Sequence, residues 1–146
     1  MKVDSAATRA DLAKLQVEIL SATRQILGQL AAFAQQHAKA TTAFKDRSGR
    51  LRASIRRGQK GPWALFVAAG GRQARYAQYI ESGSKPHEIK ARRAKLLRFE
   101  QNGTVVFRKR VYHPGTKPAR FMSSARDAAE AAATQFVESG LSAAMK

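Results

Sequence analysis

The sequence predicts an α+β domain in which a long N-terminal helix and a C-terminal helix pack on a small antiparallel sheet that includes a β-hairpin. Three observations carry the prediction. Apolar residues recur at helical spacing through the first forty positions, an Asn-Gly pair separates two strand-like runs, and an Ala-rich amphipathic stretch closes the chain. The 146 residues, 44% hydrophobic and 25% charged, suit one domain with its own core. No internal repeat or low-complexity linker divides it. The reading is one domain over 1–146, made of an N-terminal helix in 1–44, a basic strand and loop region in 45–120 and a C-terminal helix in 119–142.

The first helix is expected over about 5–40. Leu12, Leu15, Ile19, Ala22, Ile26, Leu30 and Phe33 follow one another at spacings of three and four and so share one stripe. Asp4 or Ser5 is placed to cap it, and Asp11 to complement its dipole. The stripe fits either the domain's own core or a seam between subunits. On the core reading, Ile19→Asp would bury an unpaired charge and cost several kcal/mol. Gly28 costs this helix about 1 kcal/mol relative to Ala unless something packs closely there.

Asp46 or Ser48 can cap a short helix that puts Leu51 and Ile55 on one face and leaves Arg at its other positions. The apolar run Trp63–Ala69, ended by Gly70-Gly71, reads as a buried strand. Tyr76 to Glu81 fits a helical turn or a strand. Residues 84–95, with Lys85, Lys90, Arg92, Arg93 and Lys95 around Pro86-His87-Glu88, read as a basic loop, mobile in the free subunit and ordered by an anionic partner. The runs 96–101 and 104–109 flank Asn102-Gly103, the residues a type I′ hairpin turn favours. His113 to Pro118 ends the second strand. In the last helix Phe121, Ala125, Ala128, Ala132 and Phe136 line one side, small enough for close approach.

Charge is distributed unevenly. The chain carries 27 Lys+Arg against 10 Asp+Glu, a formal +17, and twenty of those basic residues but only four acids fall in 45–120. Such a field favours an anionic partner. Arg50, Arg52, Arg56 and Arg57 on or near the short helix, and the five basic residues of the 84–95 loop, are the anion-contact or interface candidates. No helix-turn-helix, zinc-finger or RNA-recognition signature accompanies them. The absence of Cys removes disulfides and thiolate chemistry. The longest apolar run, seven residues, is far short of a membrane span, and Met1-Lys2-Val3-Asp4 leads into a helical pattern without a signal-peptide core. His37, His87 and His113 lack metal-ligand spacing, Ser48-Gly49 and Ser82-Gly83 lack a nucleophile elbow, and Gly58-Gln59-Lys60-Gly61 lacks the ending of a phosphate loop. The expectation is a non-enzyme without cofactor, metal or membrane partner.

Three stretches together resemble a known family. Asp46-Arg47-Ser48-Gly49-Arg50-Leu51-Arg52-Ala53-Ser54-Ile55 is similar to an Asp-x-Ser/Thr-Gly-x-Leu signature followed by a basic residue and Ser-Ile. Tyr76-Ala77-Gln78-Tyr79-Ile80-Glu81-Ser82-Gly83-Ser84, then Pro86-His87, resembles a Tyr-Ala-x-Tyr-Val/Ile-Glu-x-Gly-Thr/Ser segment. His113-Pro114-Gly115-Thr116-Lys117-Pro118-Ala119-Arg120-Phe121-Met122 is similar to a His-Pro-Gly-Thr…Pro-Phe-Leu segment entering the last helix. Order and spacing match over about 45–125 in the tail-component family of long-tailed bacteriophages: minor tail, neck or tail-completion proteins. Ser84 replaces the commoner Thr, and Ala119-Arg120 stands where a second proline is usual.

The resemblance implies a structural virion protein of the neck or head-proximal tail, made in the host bacterial cytoplasm and active in tail completion or head-tail joining. It implies a homo-oligomer, a hexameric ring, that contacts neighbouring neck and tail proteins and the phage DNA end. Under it Gly49, Gly83 and Gly115 supply tight turns, Tyr76, Tyr79 and Phe121 offer rigid packing area, and Asp46, Leu51, His113 and Pro114 complete the motif positions. The competing expectation is a stand-alone basic nucleic-acid-binding module.

Overall fold

The computed structural model describes residues 5–92 and 94–144, with only the backbone described at Ser5 and Ala144. Asp4, one of the two expected caps, and Arg93, one of the basic candidates, lie outside the described residues. The elements in order are α1 (Ser5–Ala40), α2 (Arg50–Ser54), β1 (Arg56–Gln59), β2 (Leu65–Ala68), α3 (Ala77–Ser82), β3 (His87–Lys90), β4 (Leu97–Gln101), β5 (Thr104–Arg108), β6 (Arg110–His113) and α4 (Phe121–Ala144). This is the α+β class. Its strands form three separate two-stranded antiparallel ladders, β1–β2, β3–β6 and β4–β5.

The long helices pack antiparallel. Phe33 of α1 meets Phe136 of α4 edge-to-face at 5.8 Å, and His37 Nε2 lies 3.3 Å from Ser124 Oγ. Nearer the other end, Ile26 leaves no room for a Cβ at Gly140, so the two helices touch almost backbone to side chain. The main core lies beneath the C-terminal half of α1: Leu51, Ile55 and Phe121 are each 1% exposed, packed with Ala38, Ala74, Ala77 and Ala125. Phe44 closes it against Phe121 at 4.9 Å.

The stripe on α1 divides in two. From Ala22 onward it turns onto its own domain, with Ala22 and Ile26 buried and Leu30 and Phe33 half-buried. Before Ala22 it is not, and Leu12, Leu15 and Ile19 are 61%, 50% and 47% exposed. The core expectation for Ile19 is therefore corrected: helical spacing sets which face a residue takes, and among the described residues nothing buries that face before Ala22. Asp11 stands in the second turn of α1, beyond the reach of the helix-terminal dipole. A Cβ added at Gly28 would meet nothing within 4 Å, so no close contact in the chain accounts for this glycine.

Other expectations also need correction. The run Trp63–Ala69 is not a buried strand. β2 occupies only Leu65–Ala68, half-buried beside β1, and Trp63 and Phe66 are both exposed. The Phe66 ring lies over Gly58 on β1, so a side chain there would require the ring to move. The ambiguous segment at 76–81 is the helix α3. The hairpin at Asn102-Gly103 is present, with φ of 51° and 76° as a type I′ turn requires. Its second strand does not run on to His113. β5 ends at Arg108, and the chain re-pairs as β6 with β3.

Burial separates two substitutions on one stripe. Ile26→Ala is expected to cost about 2–4 kcal/mol in urea unfolding of the chain. Ile19→Asp is expected to change it by less than about 0.5 kcal/mol.

Candidate functional site

The region read as a loop and the Asn-Gly hairpin are one structure, a long β-arm. Its base is an isolated bridge, Ser84 to Thr116, whose amides and carbonyls exchange hydrogen bonds of 3.0 Å. The same register continues through His87↔His113, Glu88↔Tyr112, Ile89↔Val111 and Lys90↔Arg110. It then breaks, because residues 91–96 are longer than the single residue Lys109 opposite, and β4–β5 resume with Leu97↔Arg108 out to the tip. The loop expectation at 87–90 fails because Ile89, its one apolar anchor, finds Val111 across the ladder. Lys90 and Arg110 are like charges placed opposite, and Glu88 accepts both, at 3.0 and 3.6 Å.

The base of the arm is made by chain segments far apart in sequence. Gly83, at φ 73°, lies so close to the backbone of Thr116 and Pro118 that a Cβ would collide, and Gly115, at φ 88°, lies equally close to Ser84 and Lys85. His87 and His113 stack at 5.2 Å with 27° between their planes. His113 Nδ1 accepts the Gly115 N–H at 3.0 Å, and His87 Nδ1 sits 2.8 Å from the Lys85 carbonyl. Pro114, between His113 and Gly115, is exposed.

Glu81 joins this base to the last helix. Its carboxylate accepts the N–H of Met122 at 2.8 Å, the N–H of Ser123 at 2.9 Å and the Ser123 hydroxyl at 2.6 Å. These are orphan donors at the start of α4, and a carboxylate there satisfies them and complements the dipole. Burial pushes the Glu81 carboxyl up, but the Ser123 hydroxyl and the amides of Met122, Ser123 and Phe121 outweigh it and hold the group below its ordinary value. The backbone adds two further bonds, Ala119 N–H to the Ile80 carbonyl at 2.8 Å and Arg120 N–H to the Glu81 carbonyl at 3.2 Å.

The basic candidates sort into two groups. Arg52 is structural. Its guanidinium donates to the carbonyls of Lys39 and Thr41 (2.6 Å to Thr41) at the C-terminal end of α1, and it lies over the Phe44 ring at 4.9 Å. A cation on orphan C-terminal carbonyls is a helix cap. Its candidacy for anion contact is corrected on that ground. Arg50, Arg56 and Arg57 are exposed on α2 and β1, and Lys85, Lys90, Arg92 and Lys95 are exposed on the arm, which also presents Arg98, Arg108, Lys109 and Arg110. Of the two expected caps of α2, Asp46 accepts the Arg52 N–H at 2.8 Å and Ser48 Oγ the Arg50 N–H at 3.4 Å, while Gly49 takes the positive-φ cap position at 71°. Leu51 and Phe121 are core, whereas Tyr76 and Tyr79 stand exposed beside the arm's base.

Sequence reasoning missed Arg52 and Glu81 as structural caps. Each acts on a helix end at least ten residues away, and no local spacing marks such a contact. Among the described residues no three His, Asp or Glu side chains are grouped to hold a metal ion, and no helix is long and apolar enough to cross a membrane. Comparison with family models, characterised proteins and solved structures finds no match.

Arg52→Ala is expected to cost about 1–3 kcal/mol by urea denaturation, while Arg56→Glu and Arg57→Glu stay within about 0.5 kcal/mol. For Glu81 the folded carboxyl titrates below its ordinary 4.5, so its stabilisation is complete above that value and is lost as pH falls through the lowered one. Glu81→Gln should therefore lower stability by about 1 kcal/mol at neutral pH and flatten the acid side of the stability profile.

Proposed function

We propose that this chain is a structural subunit of the neck or head-proximal tail of a long-tailed bacteriophage, a ring-forming protein of tail completion or head-tail joining. The observation that carries the reading is the mutual docking of the family-like segments. Glu81 and Gly83 of the second segment grip Thr116 to Ser123 of the third, and Leu51 and Ile55 of the first pack with Phe121 of the third in one core. Residues that need each other in the fold are the ones that carry the resemblance. One departure is structural as well as chemical: Arg120 sits at φ 49°, which a proline ring cannot adopt, so α4 is entered here by a different backbone path.

In this role the β-arm is the working part. It carries ten basic and two acidic residues over 85–117, and its surface suits acidic faces of adjacent rings or the DNA end. The same charge favours a second reading, a stand-alone nucleic-acid-binding module, which requires salt-sensitive DNA binding by the single chain.

Deleting the gene from its phage should leave separate heads and tails under the electron microscope. Normal infectious particles would overturn the virion reading. Tight DNA binding by a monomer, falling steeply with salt, would support the second.

A further inference from the structure

Two tyrosine side chains of the second family-like segment face solvent instead of the core. Tyr76 stands just before α3 and Tyr79 three residues on, so they share a face, and they are 39% and 55% exposed. Among the described residues neither ring packs on another ring and neither hydroxyl has a hydrogen-bond partner. Both line a pocket of about 790 Å³ at the base of the arm, whose other wall includes Ser84, Lys85, His87 and Thr116. The volume is that of a small-ligand site.

The polar tips that meet in this pocket are free to bind. Lys85 has no ion-pair partner among the described residues. His87 Nδ1 lies 2.8 Å from the Lys85 carbonyl, which can only accept, so Nδ1 carries the proton and Nε2 is left without a partner. The His113 ring, stacked at 5.2 Å, holds that imidazole in place. No carboxylate competes in the lining. Glu81 is on α3, but its carboxylate is taken by the amides of Met122 and Ser123. Glu88 alternates to the opposite face of β3 from His87 and is held by Lys90 and Arg110. Arg75 precedes Tyr76 and Lys117 follows Thr116 in the chain, and both are exposed.

We propose that this pocket binds a single strand of nucleic acid. Bases stack on the Tyr76 and Tyr79 rings, Lys85 meets a backbone phosphate, and His87 Nε2 accepts a base N–H. Cations alone would suit an acidic protein surface equally well. Free rings beside them select a strand, because an unpaired base has a flat face to stack and a carboxylate side chain has none. A duplex keeps its base faces inside its own stack, so the segment that fits is unpaired. The site deepens the proposed function and rests on that reading only for the source of the strand, the phage DNA end.

The probe is a fluorescent oligothymidylate of about ten nucleotides, followed by anisotropy. Tyr76→Leu/Tyr79→Leu keeps the charge and removes the rings, so it should weaken binding at least about tenfold with the salt dependence unchanged. Lys85→Gln should reduce the slope of log affinity against log salt by about 0.7. On the native chain, an oligonucleotide carrying iododeoxyuridine should photocrosslink to Tyr76 or Tyr79, a readout that needs no variant to fold. The proposal is overturned if the double variant, with unchanged circular dichroism, binds as tightly as the native chain, or if crosslinks fall only outside the pocket. It is overturned in favour of an acidic protein surface if polyglutamate of equal charge displaces the strand as well as unlabelled oligothymidylate does. Dependence on the rings at constant charge also sets this site apart from the charge-driven binding of a stand-alone module. None of these results bears on the phage-deletion phenotype, and normal particles after deletion would overturn the virion reading with the strand site standing.

Discussion

Residues 45–120 hold twenty cations and four carboxylates, and where those carboxylates go governs the rest of the structure. Two of them bind backbone amides and not guanidinium groups. Asp46 takes the Arg52 N–H of α2, and Glu81 takes the first amides of α4. Glu88 offsets the like-charged pair Lys90 and Arg110 on the arm. Only Glu100, exposed on β4, is left to set against the other cations. The fold is thus stabilised by carboxylates at helix starts and by one guanidinium, Arg52, at a helix end, and the remaining cations face outward.

The same economy shows in the core. Among the described residues the fully buried large side chains are Leu51, Ile55 and Phe121, and the rest of the cluster is mostly alanine. Small residues bring backbones close, as Gly140 does against Ile26, so contact replaces volume. Such a core fixes α1, α2, α3 and α4 at one end and leaves two extensions without cores of their own. One is the leading half of α1 and the other is the β-arm. The arm is held at its base by glycine-dependent backbone contact, where any Cβ at Gly83 or Gly115 would collide.

What the sequence disclosed follows from the range of each interaction. The limits of α1, the Asn102-Gly103 turn and the buried pair Leu51 and Ile55 are set by neighbours within a few residues, and all were legible. The strand β3 was not. Its residues are polar and charged, and they pair only because β6 arrives in register from more than twenty residues away. Charge counting suggested that 84–95 could not order itself, yet one carboxylate and one Ile–Val pair sufficed for 87–90. The stripe on α1 was visible in full, but where its cover ends depends on where α4 lies, which periodicity does not encode. Among the candidate residues, the exposed cations were legible by composition, and Arg52 was misassigned because nothing in its neighbourhood separates a capping arginine from a solvated one.

The two extensions differ in chemistry, and that difference is informative. A two-stranded ladder alone in water is marginal, and a helix of about fifteen residues without tertiary contacts is marginal too. Both persist here as outgrowths of a body that anchors one end of each. The helical one presents aliphatic residues flanked by Asp11 and Glu18, whereas the arm presents cations among exposed Phe107 and Tyr112. Surfaces of opposite character on one small chain cannot both satisfy the same neighbour. The arm's charge is not offset by its own region, since three of the four carboxylates of 45–120 are committed within the fold. A surface of that charge favours an anionic partner.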